Sequence, residues 1–248
     1  MRKDHDAMAT YGRAPIVEAV IELAFETPLS MKQVEKLRDK MRREYPAIKD
    51  RMNIAVHFDP IKGTVVNANK EGFQMNSTDG VDLVLLQVGS ISASRLAPYL
   101  DWKNLSGRLN HLFESLVKLV GRIPVSRVSS RYINRFDIPD KQIVGQDVGN
   151  FFRFGVKSPD GVFVNCNSFS VTAVQTEAET GFESTVTCGS TENALIAHQS
   201  FILDIDVRTV GKVPVKPDEM WNMVDRLRVA KNNIFEGSIT DQARKVIA

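Results

Sequence analysis

The amino-acid sequence predicts an α+β fold in which mainly antiparallel sheets are covered by helices. Most segments alternate apolar and polar residues and are separated by turn signals, as expected of antiparallel strands. Three longer segments repeat apolar residues at helical spacing instead. Each half of the chain runs in the order strand, helix, three strands, helix. We therefore expect a duplicated β-α-β-β-β-α unit whose two halves form one structure.

The predicted division of the chain follows this order of elements. Residues 1–12 are largely polar or charged, and we expect them to form a flexible N-terminal tail. Residues 13–122 make up the first α+β half and residues 123–248 the second. The halves share few identical residues, so the duplication is inferred from element order alone.

The first half begins with a strand and an amphipathic helix. Alternate side chains from Val17 to Phe25 are apolar, which predicts a strand with one buried face. Ser30 is a typical N-cap, and Pro46 ends the helical pattern after about four turns. The strand that begins at Val81, the third after this helix, lacks alternation, so we expect both of its faces to be covered. The remaining predicted elements are strands at Asn53–Asp59, at Thr64–Asn76 and from Val81, and a helix at Asp101–Gly121.

The second half begins with a predicted strand from Val125 to Ile138. We expect a short helix near Asp147–Phe154 and a long helix from Pro217 to Gly237, since proline suits the first turn and glycine ends helices. A short final helix begins at Thr240. Three strands are predicted between the short helix and the long one: Ser168–Glu179, Phe182–Ser190 and Ser200–Val210.

Charge is unevenly distributed along the sequence. The 248 residues carry a net charge of +2 at pH 7. Residues 158–207 contain no lysine or arginine and seven acidic residues, so this stretch carries −7 and the rest of the chain +9. Such asymmetry predicts electrostatic association with a basic partner surface.

Cysteine content and hydropathy predict a soluble cytoplasmic protein. Cys166 and Cys188 lie in strand-like segments without a CxxC pair, as expected of reduced, buried thiols. The charged N-terminus lacks the apolar region of a signal peptide. The longest apolar run, Val81–Val88, is far shorter than the ~20 residues of a membrane-spanning helix, so we expect no membrane partner.

A row of arginines is the most distinctive local pattern. Arg127, Arg131 and Arg135 are four residues apart in a segment rich in β-branched residues, so they share one face of the predicted strand at ~13 Å intervals. In both predicted strands a proline precedes the charged row by three residues. We favour cross-strand ion pairs between the two rows, or two solvated faces. The matching carboxylates of the first strand are Glu18, Glu22 and Glu26.

The same arginines support a functional alternative. They would form an anion-binding strip for phosphate or single-stranded nucleic acid, with Tyr132 as a stacking group. Strict alternation, however, directs Tyr132 to the opposite face of the strand, and no exposed aromatic residues are interleaved with the arginines. Nucleic acid is therefore the secondary partner hypothesis.

Asp204 and Asp206 form a second constellation. Alternation places both carboxylates on one face of their strand, where they could hold Mg²⁺ for phosphoryl chemistry. That chemistry also needs a third acid, a base or a phosphate-binding loop, and the sequence identifies none of these. We favour a solvated or arginine-paired face.

The sequence lacks familiar catalytic motifs. A glycine-rich phosphate loop, GxSxG, HExxH and paired CxxC are absent, and no histidine has a ligand partner at helix or strand spacing. The sequence therefore indicates no cofactor and favours a protein without enzymatic activity.

Five segments occur in order along nearly the whole chain: PIVEAVIELAFE at Pro15, SRLAPYLDW at Ser94, SSRYINRFDIP at Ser129, LDIDV at Leu203 and NNIFEGSITDQAR at Asn232. Their combination resembles a sporadically distributed family of bacterial proteins of about this length whose members have no established activity. The resemblance implies one co-evolved unit and, by analogy, mobile or defence-linked genes. It transfers no catalytic residues.

These observations lead to two functional expectations. The first is a non-catalytic protein-binding or assembly factor that presents its acidic second-half sheet to a basic surface, either of another protein or of a second copy. The alternative is a nucleic-acid or nucleotide-binding factor. In that case the arginine row would clamp the ligand, and Asp204 and Asp206 would support metal-dependent phosphoryl chemistry.

Overall fold

A computed structural model of the chain describes residues 11–59, 63–143, 147–155 and 168–248. The described residues form nine strands and five α-helices, which confirms the predicted α+β class. The strands are β1 Ile16–Phe25, β2 Ala47–Asp59, β3 Gly63–Asn76, β4 Asp82–Gln87, β5 Ser90–Leu96, β6 Val125–Pro139, β7 Ser170–Glu177, β8 Phe182–Thr191 and β9 His198–Thr209. The helices are α1 Met31–Met41, α2 Trp102–Val120, α3 Asp140–Ile143, α4 Pro217–Ser238 and α5 Asp241–Ile247.

The strands follow the order β2-β3-β4-β5-β1-β6-β9-β8-β7. Consecutive strands joined by short turns pair antiparallel, as β2 with β3, β4 with β5 and β8 with β9 do. β6 also pairs antiparallel with β9, although a long stretch of chain separates them. The predicted antiparallel pairing is therefore confirmed, and β2 and β7 are the two edge strands.

Contacts divide the chain into two compact units. The first consists of the chain up to Ala19 together with Ser129–Ala248, and the second is Val20–Val128. Strands β1 and β6 each contribute residues to both units. The sequence-based division into 13–122 and 123–248 follows chain order instead and stays a prediction.

The unit Val20–Val128 buries one face of α1 and of α2 against β3, β4 and β5. Ser30 caps α1 as expected, and its hydroxyl and the side chain of Gln33 form a reciprocal capping box. Asp101 accepts a hydrogen bond from the backbone N–H of Asn104 and caps α2 in the same way. The helix residues in this core share helical spacing: Val34, Leu37, Met41, Leu105, Leu109, Leu112 and Leu116.

The other unit is built around α4, which packs on β9. Phe136 of β6 stacks on Phe235 of α4, with 6.3 Å between ring centroids, and meets Phe152 edge to face at 5.1 Å. Phe152 in turn lies 5.6 Å from Phe201 of β9. This aromatic cluster fixes α4 over the buried face of β6 and β9.

Three sequence predictions need correction. The segment from Val81 is not one strand but the hairpin β4–β5, which turns at Val88 and Gly89. Strand β5 is buried on both faces as expected, whereas β4 alternates between buried and half-buried side chains. Helix α1 ends at Met41, a turn earlier than predicted, because β2 already begins directly after Pro46. The helix expected near Asp147–Phe154 is a single 3₁₀ turn.

Residues 1–10 of the predicted tail and Cys166 lie outside the described residues. Tyr11, within the predicted tail, packs edge to face on Phe235 and donates a hydrogen bond to Glu236. No helix in the described part of the chain is long and apolar enough to cross a membrane.

Candidate functional site

Strand β6 alternates buried and more exposed side chains from Val128 to its end. Ser130, Tyr132, Asn134 and Phe136 are buried beneath α4, and the side chains between them point to the opposite face. That opposite face continues onto β9 and β8 through the antiparallel register. We call its charged part the polar face and define it by Arg131, Glu183, Asp204, Asp206 and Arg208.

The central contact of the polar face joins Arg131 to Asp204. The Arg131 Nη2 atom lies 2.6 Å from Asp204 Oδ2 and its Nε atom 3.0 Å from Oδ1, a bidentate pair. The hydrogen bond to Asp204 raises the pKa of the Arg131 guanidinium against the opposing effect of desolvation, and the charges of Asp206 and Glu18 add to the increase. The backbone register places Asp206 directly opposite Arg131, so the guanidinium reaches diagonally to Asp204.

The first arginine of the row pairs with an acid of the matching row. The Arg127 Nη2 atom lies 2.9 Å from Glu22 Oε1, within the unit Val20–Val128. Both side chains are partly exposed, so the pair contributes at most ~1 kcal/mol to stability. Glu22 also accepts a longer hydrogen bond from Ser90, at 3.4 Å.

The third arginine, Arg135, finds its partners near its own strand and on β9. Its Nε atom lies 3.0 Å from Asp137 Oδ1, two residues along β6. Its Nη2 atom donates to the Glu192 carbonyl oxygen at 2.7 Å and to Ser200 Oγ at 2.9 Å. Each of the three arginines therefore has a carboxylate partner, and a phosphate group would have to displace that partner to bind.

The three matching acids, Glu18, Glu22 and Glu26, differ in their partners. Glu18 acts on Arg131 through space, and Glu22 binds Arg127 directly. Glu26 follows β1, where its backbone N–H donates to the Pro124 carbonyl oxygen, and its side chain is in none of the ion pairs found among the described residues. Two rows on antiparallel strands run in opposite directions, so only their overlapping members can meet.

The candidate metal residues Asp204 and Asp206 lie on the polar face as expected. Asp204 is engaged by both nitrogens of Arg131. Within the described residues, no group of three or more His, Cys, Asp or Glu side chains is arranged to hold a metal ion. The arrangement favours an ion-paired surface over a hydrated cation at these two positions.

Edge strand β7 borders the polar face beyond β8. Seven of its eight residues are exposed, including Val174 at 62%. The Ser190 N–H donates to the Phe169 carbonyl oxygen at 2.9 Å, and antiparallel bonding alternates from that point along the pair. The alternation directs the peptide groups of Ser170, Thr172, Val174 and Thr176 away from β8. No described strand pairs with that side of β7.

The charges around this edge are acidic. Glu177 ends β7 and accepts a hydrogen bond from Thr180 at 2.7 Å, and Glu179 follows in the turn. Neither carboxylate is in an ion pair among the residues that the structure describes. Glu183 on β8, by contrast, is bound by Arg208 of β9, with Nε to Oε1 at 2.8 Å. Negative charge is therefore compensated toward β9 and uncompensated at the outer edge.

Sequence reasoning missed Lys231, a buried residue of α4. Only 7% of its surface is exposed, and its Nζ atom lies 3.6 Å from the centroid of the Tyr132 ring. Desolvation and the nearby Arg228 lower the pKa of Lys231 to about 7, against the opposing charge of Glu236. Its position on the apolar stripe of α4, four residues after Leu227 and four before Phe235, is the signal that identifies it as buried.

Cys188 and His198 are the next polar groups of the described strands. Burial raises the pKa of the free Cys188 thiol to about 12, so it is protonated and unreactive at neutral pH. His198 contacts the Ile196 carbonyl oxygen through Nδ1 at 2.8 Å. The side chain of His57 lies outside the described residues.

In comparisons with known proteins, no protein-family model matches the sequence and no curated protein is significantly similar to it. The resemblance to a sporadically distributed bacterial family therefore stays a prediction, supported by the five segments alone.

Proposed function

We propose that the protein is a non-catalytic binding or assembly factor that accepts a basic strand of a partner along edge strand β7. The observation that carries this proposal is the outer side of β7, whose peptide groups are directed away from β8. Strand addition satisfies such groups and is a common mode of protein recognition. The partner is either a second copy of the chain or another protein.

The composition of β7 supports strand addition. Natural edge strands are commonly protected by lysine, proline or a bulge, because an unprotected edge pairs with other chains. β7 has the sequence SVTAVQTE, with neither lysine nor proline, and its register with β8 is continuous over all eight residues. Its valines and threonines also favour extended backbone.

Charge supports a basic partner. Residues 158–207 contain no lysine or arginine, and Glu177 and Glu179 at the end of β7 are in no described ion pair. The rest of the chain carries a net charge of +9. A second copy can therefore supply the complementary surface, and opposite potentials accelerate and orient such an encounter.

The free buried thiol of Cys188 is typical of a reducing compartment, and we include a cytoplasmic location in the proposal. The partners of Arg127, Arg131 and Arg135 support the protein-binding reading over the nucleic-acid alternative. Each guanidinium is held by a carboxylate of the chain itself, so counterion release on binding a phosphate backbone would be offset by the lost ion pairs.

The test uses a pair of substitutions at Val174. Val174→Pro removes an outward N–H without removing a bond to β8, and Val174→Thr preserves that N–H. We expect light scattering of the wild type and of Val174→Thr to show association that weakens above about 0.1 M salt, where the screening length falls below ~10 Å. Val174→Pro should remain monomeric at all salt concentrations.

If the wild type is monomeric throughout, the partner is another protein, and a pull-down at low salt should capture it with Val174→Thr but not with Val174→Pro. Equal capture by both variants, together with a salt-independent monomer, would contradict the proposal. Circular dichroism of the two variants checks that both are folded.

A further inference from the structure

A buried charge cluster in the unit Val20–Val128 contains two guanidinium groups and one carboxylate. Asp82 is 3% exposed, and Arg95 Nη1 donates to both of its oxygens at 3.0 and 2.8 Å. Arg108 Nη2 lies 2.6 Å from Asp82 Oδ2 as well. Two positively charged guanidinium groups share this one carboxylate, so the three side chains together carry a formal charge of +1. Asp79 also acts on Arg95, but it is exposed and hydrogen-bonded to Ser77.

The Arg108 guanidinium, besides its bond to Asp82, lines a concavity of about 340 Å³ together with Tyr45 and Asn104. A volume of this size is within the range of small-molecule sites. Asp79 is not among the residues that line it. The positive charge of Arg108 is therefore presented to a space that a small ligand can enter.

Two neutral donors accompany Arg108. The Asn104 Oδ1 atom accepts from Arg108 Nε at 2.9 Å, which leaves the amide nitrogen of Asn104 as a donor. The Tyr45 hydroxyl accepts from Arg108 Nη1 at 3.5 Å, and its own proton has no acceptor among the described residues. Burial raises the pKa of Tyr45, so its hydroxyl remains a donor at neutral pH. Donors thus outnumber acceptors around Arg108.

Glu44 and His111 form the rim of the concavity. His111 Nε2 lies 3.0 Å from Glu44 Oε1, and both side chains are about half exposed. Glu44 is the single carboxylate in the lining, and it opposes an anionic ligand.

We propose that this concavity binds an oxyanion, the phosphate or carboxylate group of a small molecule. Arg108 supplies the charge, and Tyr45 and Asn104 supply hydrogen bonds. The site is separate from β7 and the polar face, so it adds a ligand-binding function to the proposed partner binding.

The test is a titration of the full chain with inorganic phosphate and, separately, with acetate, at constant ionic strength with chloride as the replaced anion. Backbone amide shifts of α2 report binding. We expect saturation in the wild type and a loss of affinity of about tenfold or more in Arg108→Gln, because a charge-assisted hydrogen bond is removed. Asp82 keeps both of its bonds to Arg95 in this variant, and the dispersion of the amide spectrum checks that the variant is folded.

Two further variants make the test specific. Lys103→Gln removes an exposed positive charge from the same helix and should bind like the wild type. Glu44→Gln should bind more tightly than the wild type, because it removes the opposing carboxylate. Saturation by phosphate alone assigns a phosphate group, and saturation by acetate assigns a carboxylate. The proposal is overturned if neither anion saturates, if Arg108→Gln binds as well as Lys103→Gln, or if Glu44→Gln weakens binding.

Discussion

Lys231 occupies a place in α4 that an apolar residue would normally fill. Its ammonium group faces the Tyr132 ring, and such a cation–π contact offsets only part of the free energy needed to remove a charge from water. Lys231 has a pKa of about 7 in the folded protein and near 10.4 in the unfolded chain. Folding at a pH between these two values therefore releases a proton. Among charged neighbours, Arg228 favours the neutral amine and Glu236 favours the ammonium form.

Replacing this lysine should stabilise the protein in a pH-dependent manner. Between about pH 7 and pH 10 the unfolded chain binds more protons than the folded one. The free energy of unfolding of the wild type therefore rises with pH over this range because of Lys231. We expect Lys231→Met to be more stable than the wild type by about 2–4 kcal/mol at or below pH 7, and this gain should shrink as the pH approaches 10. Urea unfolding at several pH values measures it.

Lys212→Met is the matched control, because Lys212 is exposed and its removal should give no pH-dependent difference from the wild type. A stability gain for Lys231→Met that is equal at pH 6 and pH 9.5 would contradict the assignment of a neutral amine in the folded state.

At the scale of single elements, the pairing of β3 with β4 depends on a residue without a side chain. A Cβ atom built on Gly72 would lie 1.9 Å from the Leu86 carbonyl oxygen, a backbone atom that cannot move independently. Gly72 pairs with Gln87 at the end of the β3–β4 pairing, and the part of β3 that precedes Gly72 pairs with β2. The glycine therefore allows a close approach of the two backbones.

Gly72→Ala should destabilise the protein by about 3 kcal/mol or more, because the clash forces β4 to shift. Gly89→Ala in the neighbouring turn is the control, since nothing lies within 4 Å of its added methyl group. We expect the control to change stability by less than about 0.5 kcal/mol. Equal midpoints of chemical unfolding for the two variants would show that the backbone at Gly72 can relax.

Local patterns in the sequence account for most of the elements. Patterns formed by neighbours in the chain were sufficient to predict the elements in which they occur. Examples are the period of two in β1 and β9, the Ser30 cap of α1 and the apolar stripe of α2. The hairpin β4–β5 was missed because Val88-Gly89 is a weaker turn signal than Asn-Gly or Asp-Gly. The first residues of β2 were missed because Lys49, Asp50 and Arg51 interrupt the alternation.

The candidate site was predictable only in part, for a physical reason. Alternation sufficed to place Arg131 and Arg135 on a polar side of β6. Their actual partners depend on the register between β6 and β9, which is fixed by packing between segments distant in the chain. The cluster of Asp82, Arg95 and Arg108 has no sequence signature at all, because three separate elements bring it together.

At the scale of the whole molecule, β1 and β6 are neighbours in the strand order although about a hundred residues separate them. The Arg135 N–H donates to the Pro15 carbonyl oxygen at 2.8 Å, and the Glu26 N–H to the Pro124 carbonyl oxygen at 3.1 Å. The predicted boundary between residues 122 and 123 separates the two strands, so each half of the chain lacks a partner strand that the other half supplies.

We therefore expect fragments 13–122 and 123–248, produced separately, to lack cooperative unfolding transitions and dispersed amide spectra. Each would expose the unpaired edge of β1 or β6, which favours aggregation. Co-expression of the two fragments should restore a folded complex. A sharp, independent thermal transition in either isolated fragment would show instead that the halves are autonomous domains.

Because β1 and β6 each contribute residues to both compact units, the fold also limits which recombination events the gene can tolerate. A crossover between two diverged relatives that falls anywhere from Phe25 to Val125 would join a β1 from one lineage to a β6 from the other. Such chimaeras are viable only where those two strands still match. Exchanges that keep β1 and β6 together avoid this mismatch, and neither half is suited to independent transfer into an unrelated protein.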